Sequence, residues 1–304
     1  MMKKLVIMVM TIMLAFAGCS ANTNTANTPT PVSTTAGKNL KIVTSFYPMY
    51  ISTINVVGDI KNVTVENMTQ PQTGCLHDYE ITAADMKHLE TADVFIINGA
   101  GMETFLDQVK STYPNLKIID TSKGIDLIKD DTGEENAHVW LSISNTQIQV
   151  NNIAQALSEA DSKNAAAYKQ NAKDYNAKLD ALITETKDAF KNLSSKGIVT
   201  MHEAFPYYAK EFGLNIVAVI TREPGTEPTP TELQETIAAI KAAKVKAVFT
   251  EPQYSDAVAK TLASETGTKI YSLDPVVTHE ADGDRDVYIK LMRQNKETIV
   301  EALK

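Results

Sequence analysis

Along residues 40–303, short apolar runs alternate with longer segments in which apolar residues recur every three to four positions. Short apolar runs predict strands; Val94-Phe95-Ile96-Ile97-Asn98 is almost entirely apolar and fits a buried parallel strand. Longer segments between these runs have helical spacing. The predicted strands are 40–46, 63–68, 94–98 and 117–120, followed by 197–200, 215–220, 247–250 and 269–273. Strands that alternate with helices in this way predict βαβ units and parallel sheets.

The two halves of this pattern are separated by the segment Ala160–Leu193, which contains neither Pro nor Gly. Its apolar positions have helical spacing and predict one helix of more than thirty residues, about 50 Å long. A helical hairpin broken near Asp161-Ser162 is the open alternative. The fold class is therefore α/β: two (β/α)4-like lobes with parallel sheets, residues 40–160 and 196–304, joined by one long connecting helix within 161–195. The remaining predicted helices are 47–57, 80–91, 102–111, 145–157, 204–212, 230–243, 255–266 and 286–303.

The first residues predict export. Lys3 and Lys4 precede the apolar run Leu5–Ala17, which is too short to span a bilayer but fits the core of a signal peptide at 1–18. Phe16-Ala17-Gly18-Cys19 resembles a bacterial lipobox, although Phe16 stands where Leu is usual. Cleavage there leaves a lipidated Cys19 that anchors the chain in a lipid bilayer. Ordinary secretion and a single membrane anchor are the alternatives.

Residues 19–39 predict a disordered tether. After Cys19 they are almost all Ser, Ala, Asn, Thr and Pro, and Val32 is the one larger aliphatic side chain, so there is too little apolar surface to form a core. A lipid followed by a polar tether places the folded part on the outer face of the cytoplasmic membrane. With Cys19 carrying lipid, only Cys75 is left, so no intramolecular disulfide is expected.

Composition narrows the class of partner. The chain is 43% hydrophobic and 22% charged, which is ordinary for a soluble globular protein. Its formal net charge of −8 argues against nucleic acid as a partner and is compatible with attraction of cations. A monomer is expected.

Three histidines and a carboxylate are the candidate metal ligands. His77 and His138 lie in loops of the first half, while His202 and Asp274 follow predicted strands of the second half. Open α/β sheets bind ligands beyond the carboxyl ends of their strands, so these side chains are expected to meet in the cleft between the lobes. Three imidazoles and one carboxylate suit Zn²⁺, whereas Mn²⁺ prefers more oxygen.

Other polar residues have subsidiary interpretations. Glu251 is expected to hold the outer nitrogen of a histidine ligand, although it also competes with Asp274 as the fourth donor. Cys75 is a possible soft ligand, but a small buried apolar role is favoured. His88 is expected at the surface. His279 is expected to be solvated in its acidic loop, where a second weak cation site stays open.

Five motifs, taken in order, resemble a known family. They are Leu76-His77-Asp78-Tyr79-Glu80, Ala137-His138-Val139-Trp140-Leu141, His202-Glu203-Ala204-Phe205-Pro206-Tyr207-Tyr208, Glu251-Pro252-Gln253-Tyr254 and Leu273-Asp274-Pro275. Their order and spacing, from about Leu40 to the C-terminus, resemble the zinc/manganese solute-binding proteins of bacterial ABC importers. The resemblance implies two α/β lobes joined by a long helix, with metal ligands at His77, His138, His202 and Asp274.

The same resemblance implies a cargo and a partner. Family members with histidine at the third ligand position look like zinc carriers, and manganese carriers tend to have a carboxylate there, so His202 points to Zn²⁺. The implied partner is the membrane permease of an ABC transporter. Two positions depart from the pattern: Leu76 replaces a frequent proline, and the loop 126–135 is short and acidic rather than long and His-rich.

Other classes of function stay open as alternatives. A Mn²⁺-selective carrier of the same family is the nearest one. A zinc-dependent hydrolase needs an open coordination position and a general base, for which Glu203 and Glu251 are candidates, but the chain has no H-E-x-x-H motif. An adhesin, or a receptor for haem or a siderophore, is the third alternative; a receptor of that kind needs an apolar or basic cleft.

Overall fold

The computed structural model describes residues 39–71, 73–77, 79–129, 133–221 and 227–304. The predicted signal peptide (1–18), Cys19 and the predicted tether up to residue 38 lie outside these ranges, as does part of the Pro-rich loop 224–230. Within the ranges that are described, no helix combines the length and apolar character needed to cross a membrane.

Strands and helices alternate through the described chain. The first half contains β1 (Leu40–Thr44), α1 (Tyr47–Val57), β2 (Val63–Asn67), α2 (Ala83–Glu90), β3 (Val94–Ile97), α3 (Leu106–Thr112), β4 (Lys117–Asp120) and α4 (Ile143–Ala160). After α5 (Ala165–Phe190) come β5 (Gly197–Thr200), α6 (Pro206–Phe212), β6 (Asn215–Val219), α7 (Pro230–Ala243), β7 (Ala247–Thr250), α8 (Ala257–Thr266), β8 (Lys269–Ser272) and α9 (Val287–Leu303). Short 3₁₀ turns at Val139–Leu141 and Ser162–Asn164 flank α4.

The strands form two four-stranded parallel sheets, ordered β2-β1-β3-β4 and β6-β5-β7-β8. The two orders correspond strand for strand, so the second half repeats the topology of the first. All four residues of β3 and of β7 are buried, as expected of central strands covered on both faces. The predicted α/β class with two parallel sheets is confirmed.

The helix that connects the two sheets is shorter than the helix of more than thirty residues that the sequence predicted. Asp161 has φ −135° and ψ 71°, which ends α4, and its carboxylate accepts hydrogen bonds from Asn164 and the Tyr168 hydroxyl. The helix that reaches the second half is therefore α5 alone, about 39 Å long at 1.5 Å per residue. It packs against α4, which is the helical hairpin left open by the sequence.

The start of α3 is also later than predicted. The carboxylate of Glu103 accepts hydrogen bonds from the backbone N–H groups of Asn98 and Gly99, which folds residues 99–105 into a tight loop. Gly99 has φ +80°, and a Cβ there would lie 1.9 Å from Oδ1 of Asp120. The helix consequently begins at Leu106 rather than at Met102.

A continuous apolar core joins the two halves. Trp140 is 1% exposed and packs edge to face against Phe46, with ring centres 5.1 Å apart. Its indole N–H donates to the carbonyl oxygen of Pro275, and its own carbonyl accepts from the Tyr288 hydroxyl. The segment that carries His138 is thereby fixed to the second half of the chain.

Candidate metal centre

The side chains singled out from the sequence follow the carboxyl ends of strands in both sheets. His202 lies two residues after β5, and Glu251 directly follows β7. Cys75 and His77 lie in the connection between β2 and α2, and His138 lies in the connection between β4 and α4. This is the edge at which open parallel sheets bind ligands.

Two imidazoles form the centre of the cluster. Nε2 of His138 lies 3.3 Å from Nε2 of His202, and the two side chains are only 3% and 1% exposed. The ring of His77 is next to them, with its centre 4.9 Å from that of His138. His77 is less buried than the other two. The rings of the three predicted histidines are thus neighbours, but among the described residues the donor atoms that lie within 4.8 Å of one another are those of His138, His202 and Cys75.

The tautomer of His202 follows from its contact with Glu251. Nδ1 of His202 lies 2.5 Å from Oε1 of Glu251, inside a site where both side chains are almost fully buried. A carboxylate oxygen accepts, so Nδ1 carries a proton, and in the neutral ring Nε2 then presents a lone pair to the cluster. Oε2 of Glu251 accepts from the side-chain amide of Gln253. Glu251 therefore has the position expected of a residue that holds the outer nitrogen of a ligand.

Asn136 fixes His138 in the same manner. Its amide oxygen lies 3.2 Å from Nδ1 of His138 and accepts from the backbone N–H of the same residue. Its amide nitrogen donates to the carbonyl of Glu203, which settles the orientation of the amide and ties the two halves together. Nδ1 of His138 is consequently the protonated nitrogen, and its Nε2 also presents a lone pair.

Electrostatics keep His138 neutral. Burial holds the pKa of His138 well below its ordinary value, and the imidazoles of His202 and His77 lower that pKa further. The neutral ring of His138 directs the lone pair of its Nε2 toward Nε2 of His202, 3.3 Å away, so one metal ion could bind both nitrogens. The arrangement is chemically suited to coordinate a metal ion.

Cys75 is the residue that sequence reasoning underrated. The residue packs against the apolar core, as the favoured apolar role predicts, but its Sγ also lies 3.6 Å from Nε2 of His138 and 3.9 Å from Nε2 of His202. The donor atoms of Cys75, His138 and His202 all lie within 4.8 Å of one another. No local pattern indicates this position, because the contacts join Cys75 to residues 63 and 127 positions away along the chain.

The carboxylate of Asp274 is engaged by its own loop. Its Oδ1 accepts from the backbone N–H of Val276, and its Oδ2 lies 3.1 Å from Nε2 of His279. That hydrogen bond raises the pKa of His279. His279 is half-buried against the ring of Tyr47, which differs from the solvated side chain that its polar loop predicted. His88 is exposed, as predicted.

Comparisons with known proteins show the family to which the chain belongs. The family model described as ZnuA, zinc-uptake complex component A, periplasmic, matches residues 42–302. The high-affinity zinc uptake system protein ZnuA of Bacillus subtilis (strain 168) is 32% identical over 286 residues, which cover 88% of each chain. The manganese ABC transporter substrate-binding lipoprotein PsaA of Streptococcus mitis is 30% identical over 285 residues, which cover 88% of this chain and 90% of its own.

A solved structure is similar to this chain over most of its length. The SBP FpvC from Pseudomonas aeruginosa, in complex with Mn²⁺, matches with a TM-score of 0.79 at 31% identity, covering 88% of this chain and 98% of that one. The resemblance stated from the motifs is confirmed by a match that spans both sheets and every residue of the histidine cluster. The chain belongs to the ZnuA family of zinc-uptake components.

Proposed function

We propose that this protein captures one Zn²⁺ ion outside the cytoplasm and delivers it to the permease of an ABC importer. The observation that carries the proposal is the pair of buried imidazoles at 138 and 202, each with Nδ1 held by an acceptor and Nε2 directed at the other. His77, beside them, supplies the third nitrogen donor. The similarity to proteins named for zinc uptake and for manganese transport supports a metal cargo.

Zinc is favoured over manganese on ligand chemistry. Imidazole nitrogen is a good donor for Zn²⁺, whereas Mn²⁺ is better served by carboxylate and carbonyl oxygen. A cluster centred on three imidazoles therefore supports a zinc carrier, and a Mn²⁺-selective carrier is the second candidate. The identity of the fourth donor is a separate question. The sequence favours Asp274, whereas the distances to the imidazole nitrogens favour the sulfur of Cys75.

The contacts of Glu251 support a receptor rather than an enzyme. A zinc hydrolase needs a general base directed at a metal-bound water. One oxygen of Glu251 contacts the outer nitrogen of His202, and the other accepts from Gln253, so Glu251 is committed to holding a ligand. The relatives named above are uptake and transport components, which fits the same role.

The place of action is part of the proposal. A signal peptide at 1–18, lipid on Cys19 and a polar tether to residue 39 would hold the receptor on the outer face of the cytoplasmic membrane, beside the permease. The PsaA relative is named a lipoprotein. We also propose that residues 40–160 and 196–304 act as lobes on either side of 161–195, and that the receptor is a monomer.

The test is calorimetry on the full-length chain in detergent. Zinc should bind with one-to-one stoichiometry, and His202→Ala should weaken binding by at least about a hundredfold, roughly 2.7 kcal/mol. His88→Ala is the matched control, because His88 is exposed on α2 and should leave the affinity unchanged. Undiminished zinc binding by His202→Ala would overturn the proposal. Equal retention of Zn²⁺ and Mn²⁺ in competition dialysis would overturn the preference for zinc.

A further inference from the structure

The thiol of Cys75 is placed as a ligand would be. A tetrahedral zinc ion bound by nitrogen at about 2.0–2.1 Å and by sulfur at about 2.3 Å separates two nitrogens by about 3.3–3.4 Å, and nitrogen from sulfur by about 3.6 Å. The observed separation is 3.3 Å between Nε2 of His138 and Nε2 of His202. Sγ of Cys75 lies 3.6 Å and 3.9 Å from those two nitrogens. The three atoms thus define one face of a coordination tetrahedron.

Asp274, in contrast, is occupied elsewhere. Its two carboxylate oxygens are used by the backbone N–H of Val276 and by the ring of His279. Its backbone is held as well, because its N–H donates to the side chain of Asn295 and its carbonyl accepts from the amide of the same residue. Among the described residues, the donor atoms that all lie within 4.8 Å of one another are those of Cys75, His138 and His202, and this group does not include Asp274.

We infer that the Cys75 thiolate is the fourth ligand of the cargo ion, in place of Asp274, and completes a site of three imidazoles and one sulfur. This inference rests on the proposed function, since it concerns the same ion. On binding, the S–H bond breaks, the proton leaves to solvent, and the sulfur lone pair forms the bond to the metal. No oxidation or reduction takes place.

Sulfur ligation changes which cations the receptor accepts. Thiolate is a soft donor that favours Zn²⁺ and other borderline or soft cations and discriminates against Mn²⁺. Cys75 is therefore a specificity-determining residue. It excludes Mn²⁺ more strongly than a carboxylate at the same coordination position would.

The decisive experiment is the absorption spectrum of the full-length chain in detergent loaded with Co²⁺, a probe that takes the tetrahedral geometry of zinc. Wild type should show an intense near-ultraviolet sulfur-to-cobalt charge-transfer band. Cys75→Ser should lose that band while retaining the visible bands of nitrogen-bound cobalt. Asp274→Asn, the matched control, should keep the sulfur band. Zinc affinity should fall by at least about tenfold in Cys75→Ser and by less than about threefold in Asp274→Asn.

Selectivity gives a second readout. In competition dialysis, the ratio of retained Zn²⁺ to retained Mn²⁺ should drop in Cys75→Ser and stay at the wild-type value in Asp274→Asn. A wild-type cobalt spectrum without the sulfur band would overturn the inference even if Cys75→Ser failed to fold. If the sulfur band is absent but zinc binding still depends on His202, the proposed function stands and only the sulfur ligand is wrong. If the wild type binds no cation at all, the proposed function and the sulfur ligand are both wrong.

Discussion

Nε2 of His279 lies 3.1 Å from Oδ2 of Asp274, five residues away along the same loop. This contact, together with the backbone N–H of Val276 on Oδ1, satisfies the carboxylate that the sequence marks as a metal ligand. Family-level patterns place a carboxylate near the ion. In this chain, a nearby histidine holds that carboxylate and a thiol occupies the position next to the imidazoles.

The substitution His279→Ala tests whether the Asp274 contact restrains metal binding. If Cys75 is the fourth ligand, freeing Asp274 should change the dissociation constant for zinc by less than about threefold. The measurement is a competition titration against a chromophoric chelator. A gain of about tenfold or more, abolished in the double variant with Asp274→Asn, would show that Asp274 ligates once His279 releases it.

Asn136 should affect metal binding without contacting the metal. Asn136→Ala removes the acceptor from Nδ1 of His138, so the ring loses its fixed orientation and tautomer. Zinc affinity should fall by about tenfold to a hundredfold, the usual effect of removing such a partner. Calorimetry with zinc gives the value.

Asn136→Asp is the control, because its charged carboxylate keeps an acceptor for the imidazole but cannot donate to the carbonyl of Glu203. Its loss of affinity should be clearly smaller than that of the alanine variant. Equal losses in the two variants would assign the effect to the tie between the halves rather than to the orientation of His138.

Glu103 should make the folded state less stable as the pH rises. Burial raises the pKa of Glu103 from 4.5 to about 7, although the Ser45 hydroxyl and the N–H groups of Asn98 and Gly99 oppose that shift. Between these values the folded state retains a proton that the unfolded chain releases. The free energy of unfolding should therefore fall as pH rises through this window, by up to about 3 kcal/mol.

Urea unfolding at several pH values, with a chelator present, gives the free energy of unfolding of wild type and of Glu103→Gln. The difference between these two free energies measures the effect of Glu103. That difference should favour wild type more strongly at pH 5 than at pH 8. Glu90→Gln, which alters an exposed carboxylate on α2, is the control and should track wild type at both pH values. A constant difference between Glu103→Gln and wild type would contradict the assigned pKa.

Gly99 and Gly101 form a matched pair for testing the loop before α3. Both have positive φ, +80° and +83°, but a Cβ at Gly99 would overlap Asp120, whereas one at Gly101 would meet no atom within 4 Å. Both alanine variants should lose roughly 1–2 kcal/mol through backbone strain. Gly99→Ala should lose about 2 kcal/mol more through the clash, as measured by urea unfolding. Equal losses would mean that Asp120 moves aside at no cost.

Much of the fold could be predicted because local patterns decide it. The bounds of α1, β4, β5, β7 and α7 agree with the sequence prediction residue for residue, since buried apolar runs or capping residues delimit them. At the start of α7, Thr229 is the N-cap and forms a capping box with Glu232. The positions of the three histidines after strands followed from the same pattern.

The remainder depends on contacts between distant residues. The late start of α3 arises from hydrogen bonds that Glu103 makes to Asn98 and Gly99, which no periodicity reports. The pairing of Asp274 with His279 requires the intervening loop to turn back through Val276, whose φ is +63°. The proximity of Cys75 to His138 joins loops 63 residues apart in the chain. Such contacts are set by tertiary structure and not by local propensity.

The unequal burial of the cluster has a consequence for the order of ligand exchange. His138 and His202 are almost fully enclosed, while Cys75 and His77 are partly exposed and lie on one short segment. In the proposed site, a cation that arrives from solvent passes that segment and binds the enclosed rings first, so the bonds to residues 75 and 77 would be the last to form. On release, the bonds to residues 75 and 77 would be the first to break. A permease that displaces the segment with these two residues would therefore open the coordination sphere without moving the rings of His138 and His202.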